Sequence, residues 1–133
     1  MPSLVLVDTC VFVDFLREIS PLNGALRTLV REDRVILSPL VRLELLQGVR
    51  EIERAKLASF LDGFIRLEGD EQLFKVAEEL LPLARRGGLS FGLIDYLIVL
   101  QSLAANILLY TRDVTMLKLA RKLDVNLYLH SRR

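Results

Sequence analysis

The run LVLVDT at residues 4–9 decides the reading of this chain. Leu4 to Val7 is a continuous apolar stretch with no polar alternation, the pattern of a strand covered on both faces in a parallel sheet. It ends on a carboxylate. Asp8 therefore stands where a core strand gives way to a turn, and an ionised carboxylate in apolar surroundings needs a partner, a raised pKa or a bound cation.

Three more acids stand in comparable places. Glu44 lies within LVRLELL (40–46), Asp95 within FGLIDYLIV (91–99), and Asp113 closes ILLYTRD (107–113). Oxygen ligands gathered from such positions suit a hard metal ion. Between these landmarks the chain alternates strand and helix signals. Thr9 to Arg17 reads as a short helix, and Ser20-Pro21 as a cap with a first-turn proline for a second helix reaching about Arg31. Val35 to Leu37 is a second buried strand. Ser38-Pro39 repeats the cap signal and opens a helix through Val49, followed by another from about Glu51 to Leu61.

Phe64 to Leu67 reads as a third strand, Asp70 as the cap of a long helix to Arg86, and Gly87-Gly88 as its stop. Ser90 is a candidate cap for a helix to about Ala105. Ile107 to Tyr110 is a fourth strand, Thr115 to Leu123 a helix, and Val125 to Tyr128 a fifth strand or strand-like tail. This alternation predicts an α/β fold with a central parallel sheet of about five strands, covered on both faces. The 133 residues make one domain, spanning 1–133, with no repeats or linkers.

The totals exclude more than they identify. An apolar share of 52% implies a tightly packed core or an apolar partner surface. A net charge of +1, from 18 basic and 17 acidic residues, announces neither nucleic acid nor a membrane surface. Contacts with RNA would have to come from local basic residues: Arg42, Arg50, Arg54 and Lys56, Arg85 and Arg86, Lys118, Arg121 and Lys122, and Arg132 and Arg133. The single Cys10 excludes an internal disulfide, no basic leader precedes the first apolar run, and a cytoplasmic location is expected. Leu93 to Tyr110, the most apolar long segment, is broken by Asp95, Gln101, Ser102 and Asn106, so no membrane association is expected.

Each acid has a bland local explanation. Asp8 and Asp113 could start turns or cap helices, Glu44 could pair with Arg42 or Arg50, and Asp95 could be a first-turn residue favoured by the helix dipole. Four such coincidences in one small domain are hard to treat as independent. Asp14, among Cys10, Val11, Arg17 and Glu18, is read as a local partner of Arg17 or as solvated, and stays outside the set. Asp33 reads as a turn residue. His130 lacks companions at ligand spacing, and Cys10 lacks the histidine that a thiol nucleophile would need. Neither a Walker-type loop nor GxGxxG follows the first strand.

Taken in order, Asp8-Thr9, Glu44 in LELLQG, Asp95 in LIDYLIVLQSLA and the closing Thr111-Arg112-Asp113 resemble a PIN domain, most nearly the VapC-type toxin ribonucleases of toxin–antitoxin pairs. The resemblance spans essentially the whole chain and rests on the ordered set rather than on any single motif. It implies a three-layer α/β/α fold in which Asp8, Glu44, Asp95 and Asp113 converge to bind Mg²⁺ or Mn²⁺, with Thr111 orienting a carboxylate or water. It also implies an RNA substrate, a cognate antitoxin protein and a homodimer. Three positions depart from the pattern: Cys10 where Asn or Ser is common, Tyr96 where a small residue is common, and Met116 where an aromatic is common.

The rivals are weaker. A receiver domain would need an acidic pair at the first strand and a lysine after the last, and a haloacid-type phosphatase would need DxD where residues 8–10 read DTC. A PIN nuclease that processes RNA without an antitoxin, or a non-catalytic PIN-like binding module, remains compatible with the same fold.

Overall fold

The computed structural model describes residues 3–17, 22–69 and 71–129. Expectations for Ser20-Pro21, Asp70, His130, Arg132 and Arg133 lie outside the described residues. The elements run β1 (Val5–Val7), α1 (Thr9–Leu16), α2 (Leu22–Arg31), β2 (Val35–Leu37), α3 (Pro39–Gln47), α4 (Glu51–Leu61), β3 (Ile65–Arg66), α5 (Gln72–Arg85), α6 (Leu93–Ala105), β4 (Leu108–Tyr110) and α7 (Val114–Lys122). A single 3₁₀ turn, Arg86–Gly88, follows α5.

The strands pair in the order β3-β2-β1-β4, all parallel. Val5 is opposite Val35 on one side and Leu108 on the other, and Val7 is opposite Tyr110. Every residue of β1 and β2 is buried, as strands covered on both faces must be. Chain order reverses across β1, with β2 and β3 on one side and β4 on the other. The crevice beyond the carboxyl ends of β1 and β4 is therefore the topological switch point, where open α/β sheets place their ligands.

The fifth strand is present only as a tail. Leu109 N–H donates to Asn126 O (2.9 Å) and Tyr128 N–H to Leu109 O (2.8 Å), a one-bridge parallel pairing of Leu127 with Leu109. The third strand is shorter than the sequence implies, and its residues Ile65 and Arg66 are exposed, because β3 forms the sheet edge. Ser90 does not cap α6. Gly92 holds the cap position in an extended conformation with no side-chain cap, and the helix begins at Leu93. Gly87 and Gly88, both at positive φ, end α5 as the glycine pair suggests, and Asp33 turns at φ 54° before β2.

Two polar contacts fix the helices that carry Glu44 and Asp95. Ser38 accepts from Leu40 N–H (3.1 Å), capping α3 ahead of Pro39, and donates to the buried Gln101 Oε1 of α6 (2.5 Å). The Tyr96 hydroxyl donates to Ala77 O (2.5 Å) and ties α6 to α5. Around the buried β1, the core is closed by Val11 and Phe12 of α1, Leu26 and Leu29 of α2, Ile98 to Leu100 of α6 and Leu119 of α7. Among the described residues no single helix is long and apolar enough to cross a membrane.

The position of Leu6 makes the packing testable. It is fully buried between β2 and β4, whereas Ile65 on the edge strand is 47% exposed. Leu6→Ala is expected to lower the urea unfolding free energy by about 2 to 5 kcal/mol, with Ile65→Ala costing less than about 1 kcal/mol. Equal losses in the two variants would contradict this sheet order.

Candidate active site

Asp8 is the first residue past β1 and the N-cap position of α1, and it is buried. Its backbone N–H donates to Tyr110 O (2.9 Å), which extends the β1–β4 ladder by one bond and places Asp8 beside the turn after β4. Its Oδ2 accepts from the Thr111 hydroxyl (2.8 Å) and from the Cys10 thiol (3.2 Å). Burial pushes the Asp8 pKa up, against the lowering effect of the bonds from Cys10, Thr111 and the Thr9 backbone. Nearby Glu44 adds to the upward shift.

Thr111 is buried and serves both acids of the pair. While its hydroxyl is directed at Asp8, the same oxygen accepts from Asp113 N–H (3.1 Å). Asp113 in turn caps α7, with Oδ1 accepting from Met116 N–H (2.9 Å). The capping explanation for Asp113 is thus correct as far as it goes, and it uses one carboxylate oxygen. The other has no hydrogen bond among the described residues.

Glu44 projects from mid-α3 and accepts from the Thr9 hydroxyl at Oε1 (2.6 Å). Neither of its suggested arginine partners is used. Arg42 pairs with Asp62 (3.0 Å) and Arg50 with Glu53 (2.5 Å). Thr9, which in the sequence is simply the residue after Asp8, therefore sets the orientation of Glu44.

Asp95 lies in the first turn of α6, which favours its charge, yet among the described residues it has neither a hydrogen bond nor an ion pair. Its pKa is pushed up to about 6, first by burial and then by the charges of Asp8, Asp113 and Glu44. All four acids therefore share one field. Among the described residues, however, no three His, Cys, Asp or Glu side chains stand close enough to hold one ion as they are. Like-charged carboxylates without a cation between them have every reason to stand apart, and an octahedral cation that keeps its waters needs only one or two direct carboxylates. The donor set is all oxygen and fits such an ion.

The three departures from the family pattern have defined contacts. Cys10 donates to Asp8, so its thiol supplies a polar contact in place of the amide or hydroxyl. Burial, followed by the Asp8 charge, pushes its pKa up to about 11 and keeps it protonated. Met116 is buried, its sulfur 3.8 Å from the Thr111 hydroxyl. Tyr96 braces α6 from behind Asp95.

Asp14 requires a correction. It does not pair with Arg17 and is not solvated: its carboxylate is 4% exposed and receives Nε and Nη2 of Arg112, the latter at 2.9 Å from Oδ1. The argument that singled out the other four acids applies to it equally, since Val11, Phe12, Val13 and Phe15 surround it in sequence.

An open parallel α/β sheet with carboxylates from four segments near its carboxyl edge defines a class of acidic-site α/β proteins. A PIN domain family model matches residues 5–122. Over 110 residues the chain is 31% identical to Ribonuclease VapC19 of Mycobacterium tuberculosis, covering 82% of this chain and 88% of the relative. The chain belongs to the PIN-domain family, with a VapC ribonuclease among its relatives. Its fold is similar to that of VapBC2 from Rickettsia felis, solved bound to a DNA fragment from their promoter (TM-score 0.76, 22% identity, 94% of this chain and 97% of that one). It is also similar to VapBC-1 from nontypeable Haemophilus influenzae (TM-score 0.73, 18% identity, 94% and 96%) and to FitAcB from Neisseria gonorrhoeae (TM-score 0.69, 20% identity, 95% and 97%).

The raised Asp95 pKa sets a stability trend in metal-free protein. The fold favours the protonated acid, so its contribution is fully present below about pH 4, the unfolded value, and is lost as pH rises through about 6. Asp95→Asn, which mimics the neutral form, should melt roughly a few degrees above the parent at pH 7. That gap is expected to close by about pH 4 in thermal melts; a gap independent of pH would contradict the shared field.

Proposed function

We propose that this protein is a Mg²⁺- or Mn²⁺-dependent endoribonuclease and the toxin of a toxin–antitoxin pair. The observation that carries the reading is the field at Asp95. Beyond burial, the charges of Asp8, Asp113 and Glu44 all raise its pKa, although the four acids come from segments spread over a hundred residues. Such crowding of negative charge opposes folding unless a cation or a protonation relieves it. The relation to the VapC ribonuclease gives the chemistry on which that cation would be used.

In this reading Asp8, Glu44, Asp95 and Asp113 would hold the ion, directly or through its waters. Such an ion would supply charge neutralisation at the RNA phosphate and a lowered pKa for the attacking water, and the family resemblance implies products with a 5′ phosphate and a 3′ hydroxyl. Thr111 keeps Asp8 turned toward the turn that bears Asp113, and Thr9 keeps Glu44 turned toward the β1 end. Glu44 Oε2, Asp113 Oδ2 and both carboxylate oxygens of Asp95, free of hydrogen bonds among the described residues, are available to a ligand. The thiol of Cys10, held protonated, donates to Asp8 and acts as neither ligand nor nucleophile.

The partners follow from exposed apolar surface and from the relatives. Leu16, Leu43, Ile52 and Phe60, on α1, α3 and α4, are exposed large hydrophobics, and Ile52 is 85% exposed. Surface of this kind favours an apolar cover, such as an antitoxin segment and a second copy of the chain. VapBC-type structures among the fold relatives support the antitoxin.

Purified protein incubated with total RNA and Mn²⁺ should cut it, with ends mapped by sequencing, and EDTA should stop the reaction. Asp8→Asn and Asp95→Asn should each reduce cleavage by at least about a hundredfold while keeping the parent circular dichroism. Full activity in both folded variants, or cutting that persists in EDTA, would refute the reading.

A further inference from the structure

Asp14 and Arg112 are remote in sequence and neither is one of the four acids. Asp14 sits on the apolar helix α1, and its carboxylate is almost wholly buried, whereas the side chain of Arg112 is 50% exposed. Burial on that scale commits the carboxylate to its counterion, because removing the partner leaves an uncompensated charge in the core. The contact is a two-pronged fork through Nε and Nη2, a geometry that fixes direction as well as distance.

Arg112 is flanked by the two residues whose positions matter most. Thr111 before it is bound to Asp8, and Asp113 after it caps α7. The three residues between β4 and α7 are therefore attached to the β1–α1 unit at two places: beside Asp8, through the Thr111 hydroxyl and the contacts of Cys10 with that hydroxyl (3.7 Å) and with the Arg112 backbone, and at Asp14, through the Arg112 side chain. Asp14 lies six positions beyond Asp8 on mostly helical chain, about 9 Å along the axis. The contacts beside Asp8, with the Asp8 N–H bond to Tyr110 O, hold the turn at one end. A second attachment at that distance fixes its direction as well.

We propose that Asp14 and Arg112 are a positioning pair that sets where Thr111 and Asp113 stand relative to Asp8. The role in catalysis rests on the ribonuclease reading above; the role in holding the turn does not. The pair touches neither substrate nor ion and acts through its neighbours. A purely stabilising ion pair would serve equally well with any cation in place of Arg112, whereas a positioning pair needs the guanidinium fork.

Three proteins test this: the parent, Arg112→Gln and Arg112→Lys. Amide hydrogen exchange at Asp113 and Met116 reads the turn directly, since these N–H groups bond Thr111 Oγ1 and Asp113 Oδ1. Both variants should exchange these amides at least ~10-fold faster than the parent, while the amides of β1 keep their protection. The kcat for RNA cleavage should fall about 10- to 100-fold with KM little changed. Arg112→Lys, which keeps the charge, should recover the melting temperature without recovering kcat. Parent-like exchange in both variants would overturn the proposal, as would joint recovery of protection and kcat in Arg112→Lys. A parent that cuts no RNA would sink the ribonuclease reading, and the exchange rates would still decide the pair.

Discussion

The hydrogen bond from Asp8 N–H to Tyr110 O is the constraint on which the site depends. It is the last rung of the β1–β4 ladder and falls where both strands end. With β1 locked in register by the pairing of Val7 with Tyr110, the residues just past each strand must lie side by side. Asp8 then faces Thr111, and Asp113 follows two residues later. A shift of one residue in that register would move every side chain of β4 to the other face of the sheet and separate the two acids. The full burial of β1 is what forbids the shift.

The other two acids arrive on helices, and their supports are polar contacts inside the fold. Ser38 bridges the start of α3 to Gln101 of α6, so the helices bearing Glu44 and Asp95 are fixed to one another as well as to the sheet. Three of the four acids lie at helix N-termini: Asp8 before α1, Asp95 in the first turn of α6 and Asp113 before α7. The dipoles there ease the charge of each acid. They do not cancel its repulsion from the others, which adds to burial in pushing the Asp95 pKa up to about 6. In the proposed enzyme the ion uses that repulsion. A site whose charges are satisfied without a ligand would have little reason to bind one.

Much of this was legible in the sequence because strands buried on both faces leave a plain signal. Leu4 to Val7 and Val35 to Leu37 have no polar alternation, and Ser38-Pro39 and Gly87-Gly88 mark helix ends by backbone chemistry alone. The ordered acids gave the family. What sequence could not show was pairing across long separations. Asp14 has Arg17 three residues away, and only the fold reveals that Arg112, 98 residues on, takes its place. Likewise Thr9 reads as an ordinary residue after a strand until α3 brings Glu44 to it. Edge position was marked only by Arg66, the one charged residue in Phe64 to Leu67: β3 closes the sheet with both of its residues exposed. Ser90 failed as a cap because the chain stays extended through Gly92 before α6 begins.

The central claim is that Asp8, Glu44, Asp95 and Asp113 form one ligand set for a divalent cation. Calorimetric titration of Mn²⁺ into the metal-free parent and into an Asp8→Asn, Asp95→Asn double variant tests it without reference to any substrate. Saturable binding to the parent, with at least a tenfold loss of affinity in the folded double variant, is the predicted result, a difference of about 1.4 kcal/mol or more. Equal binding to both proteins, or none to the parent, would contradict it.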